Sequence, residues 1–276
     1  MHPVLHSPLG ATPEREVISR LRAGGPVLVA LSGGVDSSVV AALAHDALGS
    51  ASVAVTLSGP AVSNAEVERA RRVAAAIGIA HVVVPVNPLT REEYRSNPPN
   101  RCYFCRSVES EALLRVGRER GVVQYVDGIH LDDLSDDRPG VKAMDAAGFD
   151  HPLVRAHWTK ADVRTSARDR ALPNWDQPSD ACLASRVAHG EPLSQELLTR
   201  IELGEQWLLE RGFRRVRIRT SQGAARVEVD PEEVARLGVE PLASGLRRAL
   251  EALGFHPVTI DPRGYGAARP LRRGPP

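Results

Sequence analysis

Val27-Leu28-Val29-Ala30-Leu31-Ser32-Gly33-Gly34-Val35-Asp36-Ser37-Ser38-Val39-Val40-Ala41-Ala42-Leu43 is the stretch whose reading decides the fold. Its first five residues form a continuous apolar run, as in a strand covered on both faces. Its last five open a helical pattern. Between them lies a turn of glycines and hydroxyls. Backbone N–H groups of such a turn and the positive end of the following helix point at the same anion, so the junction is built to hold phosphate. It is not a G-x-x-x-x-G-K-[ST] loop, because no lysine follows the second glycine. The plain alternative is a Gly-Ser turn that merely joins strand to helix.

Outward from this unit, apolar runs alternate with helical periodicity, as βαβ units require. Strands are expected at Ala51–Val55, His81–Val84 and Val122–Val126, the last ending at Asp127-Gly128. Helices are expected at Asn64–Ile77, from Ser107 to Arg120, and from a Thr159 cap through Val163 to Arg170. The fold class is α/β, a doubly wound parallel sheet whose ligands gather at the carboxyl ends of its strands. The Ser32–Ser38 turn and Asp127 both sit at such ends. Past Pro192 the pattern changes to a long helix, Gln195–Arg211, then short alternating strands at Val216–Ile218 and Arg226–Val229 joined by Thr220-Ser221-Gln222-Gly223. Helices over Pro231–Leu237 and Pro241–Leu253 and a strand at Pro257–Ile260 complete a smaller α+β domain. The division is expected at residues 1–185 and 186–276, with an irregular tail after Asp261.

With 276 residues, 42% of them hydrophobic, the chain can bury an ordinary core. A formal net charge of +1 supplies no broad nucleic-acid field, so any anion affinity must be local. No stretch has the apolar length of a membrane span, and the N-terminus does not read as a signal peptide; a cytoplasmic protein without nucleic-acid or membrane partners is expected. Nine histidines lie scattered without H-E-x-x-H spacing, and G-x-S-x-G is absent.

Three cysteines leave a disulfide framework unsupported. Asn100-Arg101-Cys102-Tyr103-Phe104-Cys105 places two thiols three positions apart just before a helix, a spacing that lets both face one metal or cluster. Cys182 lies in Pro178-Ser179-Asp180-Ala181-Cys182-Leu183-Ala184-Ser185-Arg186. An iron–sulfur cluster on three thiols fits the count better than a closed zinc site. A structural or redox dithiol at Cys102 and Cys105, and a small buried hydrophobe at Cys182, are the alternatives. Arg215 and Arg217 alternate on one strand face and, with Arg186 and Ser185, could grip a phosphate; a solvated basic face is the plain reading. Lys160 could balance phosphate charge, or be a surface lysine.

The Ser32–Ser38 signature resembles the PP-loop of the ATP pyrophosphatases, which cleave ATP between its α and β phosphates. Together with the two cysteine segments, Asp127-Gly128 with Asp132-Asp133, and Asp137-Arg138-Pro139-Gly140, it resembles the LarE family of ATP-dependent sulfur transferases. The resemblance implies adenylation of a carboxylate of pyridinium-3,5-biscarboxylic acid mononucleotide, followed by sulfur insertion for the nickel-pincer cofactor of lactate racemase. It implies ATP bound by Ser32, Gly33, Gly34, Asp36, Ser37, Ser38, Asp127 and Gly128, with Mg²⁺, and a catalytic role for Asp36 and Cys182. It implies a 4Fe-4S cluster on Cys102, Cys105 and Cys182 as sulfide carrier, although family members with a lone cysteine sacrifice its sulfur. Glu205 and Glu228 resemble acidic positions near the site, Glu205 being a candidate metal ligand, and a homo-oligomeric ring, a hexamer, is implied. Competing readings are a tRNA-thiolating PP-loop enzyme, an amidating ligase of the NAD synthetase kind, and a binding-only nucleotide-sensing or iron–sulfur storage module.

Overall fold

A computed structural model describes residues 13–134, 139–178 and 180–266. The chain divides into two compact units. The first comprises the described residues of Met1–Ser58, Asn64–Val86 and Cys105–Ser179; the second comprises Gly59–Ser63, Asn87–Phe104 and the described residues of Asp180–Pro276.

The first unit holds a four-stranded parallel sheet of β1 (Val27–Ala30), β2 (Ser52–Ser58), β3 (Ala80–Pro85) and β4 (Gln124–Val126), in the order β3-β2-β1-β4. Alternate side chains of β1 serve two separate cores. Val27 and Val29 join Leu21, Val39, Leu43 and Val163 on one face, while Leu28 joins Leu113, Val116 and Phe149 on the other. Burial on both faces is why this strand reads as an unbroken apolar run. The expected doubly wound α/β architecture is therefore present. The strand order reverses between β1 and β4, so their carboxyl ends flank the crevice where such sheets bind ligands.

The helix Val35–Leu48 follows β1 directly and is buried along most of its length. Helix Asn64–Ile77 matches its expected limits, and Thr159 caps Lys160–Asp169 through a capping box with Asp162. Two expectations need correction. Helix Arg101–Glu119 starts six residues before Ser107, so Cys102 and Cys105 lie within its first two turns rather than ahead of it. β4 is shorter than expected, because Val122 and Val123 precede it as the chain leaves that helix.

In the second unit β5 (Val216–Ser221) and β6 (Ala224–Val229) form an antiparallel hairpin, and β7 (Val258–Ile260) adds to β6 in parallel. The connecting turn is only Gln222-Gly223, both left-handed at φ 51° and 81°, so the strands are longer than expected. Two left-handed residues give the turn whose twist matches that of its strands. Helix Gln195–Leu209, capped by Ser194, packs on β5. A Cβ on Gly204 would lie 2.5 Å from Ile218 Cδ1, so glycine sets that close approach. Among the described residues no helix is long and apolar enough to cross a membrane.

Candidate active site

At the end of β1 the turn is shaped by its own hydroxyls. Ser37 Oγ accepts the Ser32 N–H at 3.1 Å and donates to the Gly34 carbonyl at 3.1 Å; Ser38 Oγ donates to the same carbonyl at 2.8 Å. Gly33 is left-handed at φ 80°, and a Cβ there would meet the Glu66 carbonyl at 2.8 Å. Glycine is thus required twice over. Gly34 is the extended N-cap of Val35–Leu48 and has no side chain to cap it, which leaves the first-turn amides for an incoming anion.

A residue the sequence reading passed over holds this turn. Asn174 is 3% exposed; its Nδ2 donates to the Gly33 carbonyl at 2.8 Å and to Ser38 Oγ at 2.9 Å. Arg69 Nε donates to the same carbonyl at 3.2 Å. Neither residue belongs to a recognisable motif, and only the packing reveals them.

The expected partners at β4 are beside the turn. A Cβ on Gly128 would lie 2.4 Å from the Ser37 nitrogen, so the chain leaving β4 abuts the first turn of helix Val35–Leu48. Lys160 Nζ donates to both oxygens of Asp36, at 2.5 and 2.6 Å, which replaces the surface-lysine reading. Asp127, buried at 7%, accepts the Ile129 N–H at 3.1 Å and lies 2.8 Å from His151 Nδ1. His151 Nε2 lies 2.9 Å from Asp145 Oδ1. Burial opposes protonation of this ring, but Asp127 and Asp145 outweigh it and raise its pKa above the ordinary histidine value. His130 Nε2 lies 3.4 Å from Asp133 and 3.7 Å from Asp36. Two of the nine histidines that seemed scattered in sequence, His130 and His151, thus meet the acidic residues. Asp132 accepts the Lys160 N–H at 2.8 Å, while Asp137 and Arg138 lie outside the described residues.

In the second unit Arg186 organises the Cys182 segment. Its Nε and Nη2 donate to the two oxygens of Glu205 at 2.9 and 3.0 Å; its Nη1 donates to the carbonyls of Ala181 and of Cys182 (3.0 Å) and to Ser185 Oγ at 3.1 Å. Glu205 also accepts the Ile218 N–H at 2.9 Å. In this arrangement Arg186 is a buried strut, Ser185 Oγ accepts from it, and Glu205 pairs with it.

Arg217 lies on β5 and donates to Asp180 Oδ1 at 2.7 Å, whereas Arg215 precedes the strand and pairs with Asp230 at 3.4 Å. Their guanidinium groups nonetheless meet over one ring, 5.0 and 5.2 Å from the centre of Tyr265. Glu228 is fully buried between Arg219, at 2.9 Å, and Arg226, at 3.0 Å, rather than on the surface. Periodicity could place Arg215 and Arg217 together, but not the carboxylates that face them.

Cys102 and Cys105 share one side of their helix. Cys182 is half-buried, and loss of solvent around its sulfur pushes the thiol pKa up; Arg101 and Arg186 pull it down, while Cys102 adds to the rise. Burial and the neighbouring Cys102 thus outweigh the two arginines. Coordination to a metal would deprotonate it outright. A cluster fits the donor chemistry, soft thiols bordered by guanidinium groups, although among the described residues no three His, Cys, Asp or Glu side chains are drawn together as a metal-binding group.

Comparison with known proteins adds to this geometry. The asparagine synthase family profile matches residues 13–94. Protein slr1717 of Synechocystis sp. is 38% identical over 88% of this chain and 90% of its own length. Pyridinium-3,5-bisthiocarboxylic acid mononucleotide synthase of Lactiplantibacillus plantarum is 30% identical over 94% of both chains. The tRNA-specific 2-thiouridylase MnmA of Desulforamulus reducens is 31% identical, but over only 55% of this chain and 52% of its own.

Proposed function

Since the chain belongs to the LarE family of ATP-dependent sulfur transferases, we propose that it adenylates a carboxylate of pyridinium-3,5-biscarboxylic acid mononucleotide and replaces the activated oxygen with sulfur. Two such rounds, one at each carboxylate, each consuming one ATP and one sulfur, give the bisthiocarboxylic acid mononucleotide, the organic part of a nickel-pincer cofactor for lactate racemase. One observation carries the reading: a phosphate-shaped turn and a cysteine loop are each braced by a buried side chain, Asn174 for the first and Arg186 for the second.

The substrate carboxylate is already an anion at neutral pH, so adenylation needs alignment and charge neutralisation more than a base. Its oxygen attacks the α-phosphorus, the bond to the β-phosphate breaks, and pyrophosphate leaves. First-turn amides of Val35–Leu48 bind the phosphates, and Lys160 supplies a cation. An Mg²⁺ ion expected with ATP fits Asp36, whose carboxylate already holds a cation in the Lys160 ammonium. Sulfur then attacks the acyl carbon and AMP departs with the bonding pair. We assign a 4Fe-4S cluster to Cys102, Cys105 and Cys182; bound there, it would supply sulfide that stays deprotonated at neutral pH. Arg215 and Arg217 hold the mononucleotide phosphate. We also take the enzyme to be cytoplasmic and to assemble as a homo-oligomeric ring of six, which light scattering decides.

Anaerobically purified protein should release pyrophosphate only when the pyridinium substrate is present, and should contain iron and sulfide that Cys102→Ala loses. Iron-free protein that transfers sulfur once per chain, and loses the mass of H₂S at Cys182, would instead make that cysteine the donor. Pyrophosphate release without dependence on the substrate would sink the proposal. The tRNA-thiolating alternative has matching relatives over only about half of the chain and meets a chain with a net charge of +1.

A further inference from the structure

Asp180 lies against two buried arginines. Its Oδ1 is 2.7 Å from Arg217 Nη2 and 3.6 Å from Arg186 Nη2, and it accepts the Ala181 N–H at 3.0 Å. The two guanidinium side chains are 8% and 3% exposed, whereas the carboxylate keeps 30%. A half-open acid thus covers two closed cations. Arg186 cannot leave its post, since its donors hold Glu205 and the carbonyls of Ala181 and Cys182. Arg217 is different: besides the neighbouring Val216 carbonyl, its hydrogen-bond partner is Asp180. Arg215, beside the same Tyr265 ring, has a buried Nε with no hydrogen-bond partner.

We propose that Asp180 is an internal stand-in for the substrate's phosphate, displaced from Arg217 when a phosphomonoester binds between Arg215 and Arg217. The inference rests on the function proposed above only in assigning that phosphate to the mononucleotide. A phosphomonoester carries more charge than a carboxylate and three acceptor oxygens, so it can hold both guanidinium groups at once, which one carboxylate oxygen does not. Asp180 lies two residues before Cys182 in a loop pinned to Arg186. Asp180 is then a specificity-determining residue: weakly held anions fail to dislodge it.

The test is a calorimetric titration of the intact protein with nicotinate mononucleotide, with ribose 5-phosphate, and with the riboside that lacks phosphate. Asp180→Asn keeps the shape and removes the competing charge. It should bind both phosphomonoesters about tenfold more tightly than wild type, a shift of about 1.4 kcal/mol, and leave the riboside unchanged. Asp180→Glu should stay near wild type, and in turnover KM for the phosphorylated substrate should fall in Asp180→Asn without a rise in kcat. Equal or weaker binding by Asp180→Asn overturns the proposal and makes Asp180 a support for Arg217. Binding of neither phosphomonoester to any variant overturns it too. Because ribose 5-phosphate carries no pyridinium ring, its affinity ratio decides Asp180 even if wild type shows no substrate-dependent pyrophosphate release, which is how the functional reading would fail.

Discussion

Single atoms decide how the Ser32–Ser38 turn holds its shape. Asn174 Nδ2 serves both the Gly33 carbonyl and Ser38 Oγ, so Asn174→Ala strips the turn of its main outside support. A lost buried hydrogen bond costs about 1–3 kcal/mol. The KM for ATP should therefore rise roughly tenfold, with a smaller change in thermal stability, as pyrophosphate-release kinetics would record. Lys160→Met removes the cation on Asp36 and should lower kcat for pyrophosphate release roughly a hundredfold, in line with losing one preorganised charge. An unchanged kcat would make Lys160 a structural partner of Asp36 alone. The turn itself was legible in sequence because glycine and serine carry their constraint locally. Asn174 was not, and Lys160 was readable only as a candidate cation for phosphate and not as the partner of Asp36, since each acts on the turn from more than a hundred residues away.

Elements are tied by charge as well as by apolar faces. Arg170, next to helix Lys160–Asp169, donates to both oxygens of Glu14 in helix Pro13–Gly24, and Ser166 donates to Glu14 as well. The Arg170 hydrogen bond holds the Glu14 carboxyl below its usual value, against the opposing effect of burial. A depressed carboxylate pKa adds stability at pH values above the unfolded value, and that stability is lost as pH falls through the folded value. Glu14→Gln should accordingly lower Tm at neutral pH and flatten its decline on acidification below about pH 4.3. The Arg186–Glu205 pair joins the Cys182 loop to helix Gln195–Leu209 in a buried setting. Arg186→Met leaves a buried carboxylate unpaired and should cost about 3–5 kcal/mol in a denaturant titration. Helix limits were readable where caps and periodicity agree, as at Asn64–Ile77 and Thr159. Helix Arg101–Glu119 started earlier than expected because its first turn, with Arg101 against Asn97 and His189, is stabilised by partners that periodicity does not register.

At the scale of the whole molecule, the phosphate-shaped turn belongs to the first unit, and the Cys182 loop with its arginines belongs to the second. Hydrogen exchange should separate them: ATP should protect amides near residues 32–38 and 127–133, and a phosphomonoester those near 180–187 and 215–221. Protection of both sets by ATP alone would contradict this division of labour. What the amino-acid sequence determined by itself is whatever local chemistry dictates: the β1 strand and its glycine turn, the parallel α/β order, the cysteine spacing, and the family. Tertiary structure alone decided which charges meet. It set Lys160 on Asp36, His151 between Asp127 and Asp145, Arg186 on Glu205 and Asp180 on Arg217. The physical reason is that backbone propensity and periodicity act over a few residues, whereas pairing of buried charges depends on which distant segments the packed cores bring within about 3 Å of each other.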